Sequence, residues 1–138
     1  MNVLLDTDVV LDLLLEREGF VEAAAALFDA QDAGEIRVFV SAITPLNVFY
    51  IAAKVLGRQN TEEAIYELLG SVDVCTIDYQ VLQQALSLSF KDYEDAVQVA
   101  SALSARLGAI VTRNLPDYRN SPLPVYSPSD FLTLLSTN

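Results

Sequence analysis

Val3-Leu4-Leu5-Asp6-Thr7-Asp8-Val9-Val10-Leu11-Asp12 is the stretch from which the rest of the chain is read. Three consecutive apolar residues without alternation describe a short strand buried on both faces. Asp6 ends that strand, and a second apolar stretch runs from Val9 to Leu15. An acid directly after a buried apolar strand needs a partner, because a lone carboxylate is costly to remove from water. Downstream, strand and helix signals alternate. A helix is predicted from about Val21 to Ala33, where Ala23 to Ala26 are strong helix formers and Gly34 is the stop. Ile36 to Val40 reads as strand 2. Thr44-Pro45 reads as an N-cap followed by proline at the first helical position, and Val48, Ile51, Ala52 and Val55 recur at helical spacing up to Gly57. Asn60-Thr61-Glu62-Glu63 has the form of a capping box that opens another helix. Ser71 to Thr76 reads as strand 3, and Asp78 as the cap of a helix through Leu86. Asp92-Tyr93-Glu94-Asp95 opens the next helix, which Gly108 ends. Ala109 to Thr112 is strand 4, Pro124 to Tyr126 is strand 5, and Ser127-Pro128-Ser129-Asp130 caps the last helix.

Strands alternating with helices imply an α/β domain, a parallel sheet covered by helices on both faces. Sites in such sheets form beyond the carboxyl ends of the strands, at the switch point in strand order. The 138 residues suit one domain over 1–138, with no repeat, low-complexity tract or linker. A hydrophobic content of 52% argues against disorder. No apolar run approaches the roughly 20 residues that span a bilayer, so no membrane association is expected. Met1 to Asp6 has neither a basic start nor a small-residue cleavage site, so a cytoplasmic protein without signal peptide is expected. The single cysteine, Cys75, excludes an internal disulfide; its setting in Val72-Asp73-Val74-Cys75 reads as inert, buried strand.

The chain contains no histidine, which removes the usual general base, the Ser-His triads and most zinc sites. It has no glycine-rich phosphate loop either. Chemistry here must rest on carboxylates, hydroxyls and bound metal. A net charge of −11 argues against long duplex binding, since phosphate contacts need lysine and arginine. Acids gathered around a metal ion would reverse that sign locally.

Asp6 follows strand 1, Asp92, Glu94 and Asp95 open the helix before strand 4, and Asp117 lies in the loop after strand 4. If strands 1 and 4 are neighbours, these acids converge on one edge, where a divalent cation resolves their repulsion. Magnesium or manganese suits such all-oxygen ligation. Each acid also has a plainer reading. Asp92 is a natural N-cap, with Asp95 at the third helical position favoured by the helix dipole. Glu94 is read as facing solvent, Asp8 as the cap of the short helix after it, and Asp117 as a turn acid. The joint placement, not any single acid, carries the site.

The chain resembles the PIN-domain family over essentially its full length. The matching pieces are Val3 to Asp12, Ser41-Ala42-Ile43-Thr44, Asp92-Tyr93-Glu94-Asp95-Ala96, Val111-Thr112-Arg113-Asn114 with Asp117-Tyr118, and Ser127 to Leu132. It looks most like the VapC-type toxins of bacterial toxin–antitoxin pairs. The resemblance implies a three-layer domain with a five-stranded parallel sheet, and Mg²⁺- or Mn²⁺-dependent endoribonuclease activity. The family's acids fall on Asp6, Asp95 and Asp117, with Asp92 as a companion, and its small hydroxyl after strand 4 falls on Thr112. One position departs from the pattern: Asn47 stands where the family carries a glutamate. It is either an ordinary residue near the first turn of its helix or a neutral amide in the metal shell. In the second case one negative charge is lost and metal affinity weakens, with Asp8 or Glu94 as candidate compensators. Lys91, Arg113 and Arg119 are the nearby cations, read either as phosphate-steering or as solvated surface. The resemblance further implies a small antitoxin partner and a homodimer. The helix with Phe49, Tyr50 and Ile51 would serve a dimer contact or the core, and the core is the reading adopted.

Two rival readings stand beside this one. A non-catalytic module that binds RNA or a protein partner fits Asn47 and the acidic balance. A haloacid-dehalogenase-type phosphatase would use Asp6 as nucleophile and Asp8 as acid/base. That family needs a later lysine and a further acidic pair, and Lys91 is the only lysine after Lys54.

Overall fold

The computed structural model describes residues 1–137. The chain runs β1 (Asn2–Leu5), α1 (Thr7–Leu14), α2 (Val21–Asp32), β2 (Arg37–Ser41), α3 (Thr44–Leu56), α4 (Arg58–Ser71), β3 (Asp73–Cys75) and α5 (Tyr79–Leu86). It continues through α6 (Tyr93–Ser104), β4 (Ala109–Val111), a 3-10 helix (Leu115–Tyr118), β5 (Val125–Tyr126) and α7 (Pro128–Ser136). The five strands form one sheet in the order β3-β2-β1-β4-β5, and every pairing is parallel. The α/β expectation is met, and β1 and β4 are neighbours, the condition set for the acids to converge.

The side-chain period of two sorts the strands onto two cores. Val3 and Leu5 of β1, with Val38, Val40, Ala109 and Val111, pack with residues of α1, α2, α3 and α7, including Leu27 and Phe131. Leu4 and Ile110 point the other way, onto Val99 and Ala102 of α6. Helices therefore cover both faces, and a strand buried on both sides must be apolar at every position. The thiol of Cys75 is buried within the second core, and desolvation pushes its pKa up to about 11, so it is the inert residue expected.

Several local expectations are corrected. Thr44 is not a helix cap: Ile43 holds that position, and the Thr44 hydroxyl is turned into a buried polar network. Asn60-Thr61-Glu62-Glu63 opens no helix. Gly57 takes φ +80° and lets α3 turn directly into α4, so Thr61 lies one turn inside and donates back to the Gly57 carbonyl at 2.7 Å. Asp6, not Asp8, caps α1. Helix α6 ends at Ser104, with Arg106 at φ +59°. Gly108 instead lies where a Cβ would come within 3.4 Å of Met1. The Phe49-Tyr50-Ile51 segment is not core: Tyr50 is 69% exposed and Ile51 38%, as are Leu46 and Val55 of the same helix at 69% and 68%.

Candidate active site

Because β1 is central and β2 and β4 lie on opposite sides of it, the switch point falls between the carboxyl ends of β1 and β4. Asp6 occupies that point and is only 4% exposed. Its carboxylate is held by three donors from three segments. Oδ1 accepts the Thr7 backbone N–H at 2.7 Å and Gln98 Nε2 at 2.8 Å. Oδ2 accepts the Thr112 hydroxyl at 2.7 Å. A buried carboxylate with this many donors is satisfied without a side-chain cation. Thr112, the hydroxyl after strand 4, thus uses its proton to fix the acid opposite it.

From Asp6 the network crosses to α6. Gln98 Nε2 also donates to the Tyr118 hydroxyl at 3.1 Å, and that hydroxyl donates to Asp95 Oδ1 at 3.2 Å. Gln98 Oε1 accepts from Ser41 and Thr44, each at 3.3 Å. The amide orientation follows from these partners: its N–H₂ faces acceptors and its oxygen faces hydroxyls. No buried side-chain polar atom among the described residues lacks a partner.

Asp92 caps α6, accepting from the N–H groups of Glu94 at 2.8 Å and Asp95 at 3.3 Å. It stays close enough to Asp95 to matter electrically. The Asp95 carboxyl is pushed up to about 7, first by burial and then by the charges of Asp92, Asp6 and Asp117; the Tyr118 hydrogen bond acts in the opposite direction. Burial, with Asp6 next, also raises the Asp8 pKa; its Oδ2 accepts from Asn114 at 2.9 Å. Asp117 lies in the 3-10 helix, and with Asp92 it lines a cavity of about 420 Å³.

The fit to a metal ion has two sides. The donor set is all oxygen and acidic, the chemistry of a hard divalent cation, and the field on Asp95 is one that a cation would relieve. Among the described residues, however, no three Asp, Glu or Cys side chains stand together closely enough to hold an ion as placed. Ligation by three of them would need side-chain rotations from this arrangement. Asn47 donates to Glu94 at 2.6 Å, spanning α3 and α6 rather than reaching Asp6. Arg113 is not available to a phosphate. It grips the buried Asp12 at 2.7 and 3.0 Å and lies over the Phe20 ring at 4.0 Å.

Residues 2–116 match the sequence model of the PIN domain. The chain belongs to the PIN-domain family. The match ends one residue before Asp117, whose charge acts on Asp95 in the folded chain. Solved structures of similar fold include a toxin–antitoxin complex from Klebsiella pneumoniae, 26% identical, with a TM-score of 0.69 over 91% of this chain and 97% of that one. DNA-bound VapBC from Salmonella typhimurium aligns with a TM-score of 0.72 at 19% identity, over 93% and 98% of the two chains. A sarcin–ricin-loop-cleaving VapC toxin from Mycobacterium tuberculosis aligns with a TM-score of 0.64 at 14% identity, over 78% and 86%. No curated protein sequence matches the chain. The PIN-domain match displaces the phosphatase reading, and Asp6, almost wholly buried and held at both oxygens, is poorly placed as an exposed nucleophile.

Gln98 is the member of this PIN domain's polar network that sequence reasoning missed, and Tyr118 entered only as part of the Asp117-Tyr118 match, with no role assigned. The available signal was a glutamine inside the apolar run Ala96-Val97-Gln98-Val99-Ala100, a polar residue on a face that has to be buried.

Proposed function

We propose that this PIN domain is a Mg²⁺- or Mn²⁺-dependent endoribonuclease and the toxin of a toxin–antitoxin pair. The observation that carries the reading is the hydrogen-bond chain that joins Asp6 to Asp95 through Gln98 and Tyr118 at the sheet's switch point, with Asp92 and Asp117 near enough to disfavour the Asp95 charge. Asp6, Asp95 and Asp117 would hold the ion, with Asp92 and Asn47 at the edge of its shell. A divalent ion, when bound, supplies an activated water and a polarised phosphate that carboxylates alone lack.

The chain's own residues do the rest. Thr112 and Gln98 fix the Asp6 carboxylate in one orientation, and their donated hydrogen bonds leave acceptor capacity on Oδ2. Tyr118 holds Asp95 through Oδ1 and leaves Oδ2 unengaged among the described residues. Burial and the neighbouring acids disfavour the charge on Asp95, a cost that a bound cation would offset. Asn47 anchors Glu94 at the seam of α3 and α6. Being neutral, it gives the site one charge fewer than a glutamate would. The K. pneumoniae relative is a toxin–antitoxin complex, and an acidic pocket suits a partner that inserts a basic side chain. The exposed Leu46, Tyr50 and Val55 on α3 offer an apolar surface to that partner or to a second copy in a homodimer.

The test is cleavage of single-stranded RNA in Mn²⁺. The parent is expected to cut, and folded Asp6→Asn to lose activity by at least about a hundredfold, the scale of losing a metal-site residue. Equal rates for parent and variant would place the chemistry elsewhere. A second reading, a PIN module that binds without cutting, is favoured by the separation of the acids. It predicts RNA or partner binding with no Mn²⁺-dependent cleavage by the parent.

A further inference from the structure

The chain has eight lysines and arginines. Arg17, Arg37, Arg58 and Arg113 are each committed to an ion pair, and Lys54 lies over the Tyr50 ring at 4.6 Å. Lys91 and Arg119 form no ion pair among the described residues, and both line the cavity that contains Asp92 and Asp117. In a chain of net charge −11, Lys54 and Arg106 also lack an ion pair among the described residues, but Lys91 and Arg119 are the two that share a cavity with the acids of the site. Their donors remain open to an anion, and the arginine fork suits phosphate.

The cavity is also built rather than incidental. Its two walls are the turn from α5 to α6 and the end of the 3-10 helix. Asn120 Nδ2 ties them by donating to the Ser89 carbonyl at 2.9 Å. Phe90 packs edge-on against Tyr118 at 6.0 Å, which links the cavity to the residue holding Asp95. Ser89 takes φ +60°, a conformation that persists in a non-glycine residue only where the surroundings hold it. A volume of about 420 Å³ is in the range of a small-ligand site.

We propose that this cavity is a nucleotide subsite, in which Lys91 and Arg119 hold an RNA phosphate next to the one that is cut and Phe90 lies beside the neighbouring base. The inference rests on the RNA-hydrolysis reading and adds to it where the strand lies. Two cations suffice for one or two phosphates of a single strand; a duplex would require more.

The experiment measures binding of a short fluorescein-labelled single-stranded oligoribonucleotide to the full chain by anisotropy, in calcium, across a range of salt. The Lys91→Ala/Arg119→Ala double variant is expected to bind roughly tenfold weaker, with a salt slope smaller by about 1.4, since each single-strand phosphate contact contributes about 0.7. Both residues are exposed, so the melting temperature is expected to stay at the parent value. Lys91→Arg should keep most of the affinity. Equal affinity and slope for parent and double variant, or no binding by the parent, would overturn the subsite. Cleavage in manganese is read separately. A parent that binds through these residues yet never cuts would overturn the hydrolysis reading and leave Lys91 and Arg119 as RNA-phosphate contacts of a binding module.

Discussion

Asp95 illustrates how a single residue's setting becomes a measurable property. Its carboxyl moves from 3.8 up to about 7 because burial and three neighbouring acids disfavour its charge. The folded chain therefore holds this proton more tightly than the unfolded chain does. Stability that is complete below the unfolded value is lost as pH rises through about 7. In chelator, the parent's melting temperature is expected to fall across that window relative to Asp95→Asn. At mildly alkaline pH the variant should be more stable by on the order of 1–2 kcal/mol, discounted for a group half open to solvent. Chemical denaturation of both proteins against pH checks this; parallel curves would contradict it. Asp6 was legible in the sequence because a carboxylate that ends a buried apolar strand must find its donors or a cation there. Gln98 was not, because a buried glutamine depends on acceptors 92 residues away in sequence at Asp6.

Elements carry the next level of argument, and α1 is the clearest case. It starts on the Asp6 cap and holds Asp12, 1% exposed, on its far turn. Asp12 is neutralised from the loop after β4 by Arg113, and more distantly by Arg17 at 3.5 Å. The pair ties the two segments that carry Asp6 and Thr112. Arg113→Ala leaves a buried charge with its weaker partner alone, and the expected cost is about 2–4 kcal/mol. Urea denaturation measures it. Replacing both partners, Asp12→Leu with Arg113→Met, should cost much less, because no charge is left stranded. Helix α3 shows why local rules fail at a site. Thr44-Pro45 carries every sign of a cap, yet the hydroxyl serves Gln98 and Thr7 instead. The helix N-terminus presents N–H groups that water can satisfy, whereas the buried Gln98 oxygen depends on this hydroxyl as a donor.

At the scale of the molecule, the fold gathers negative charge at one end of a sheet within a chain of net charge −11. A divalent ion that binds only the folded chain stabilises it by mass action, about 2.7 kcal/mol when the free metal is a hundred times its dissociation constant. Manganese is expected to raise the melting temperature by several degrees, roughly 2–4 °C per kcal/mol in domains somewhat larger than this one and more in smaller ones. Asp6→Asn should remove most of that rise. A scan that shows no shift for the parent would favour the non-catalytic reading.

The alternation of short apolar strands with capped helices determined the α/β class and the acids available, because backbone periodicity and burial are written locally. Strand order, the joining of Asp6 to Gln98, Tyr118 and Asp95, the capture of Arg113 by Asp12, and the cavity with Lys91 and Arg119 were decided only in three dimensions. Each of these depends on which distant segment arrives beside a given side chain. That is fixed by the packing of two cores against one sheet, not by any window of sequence.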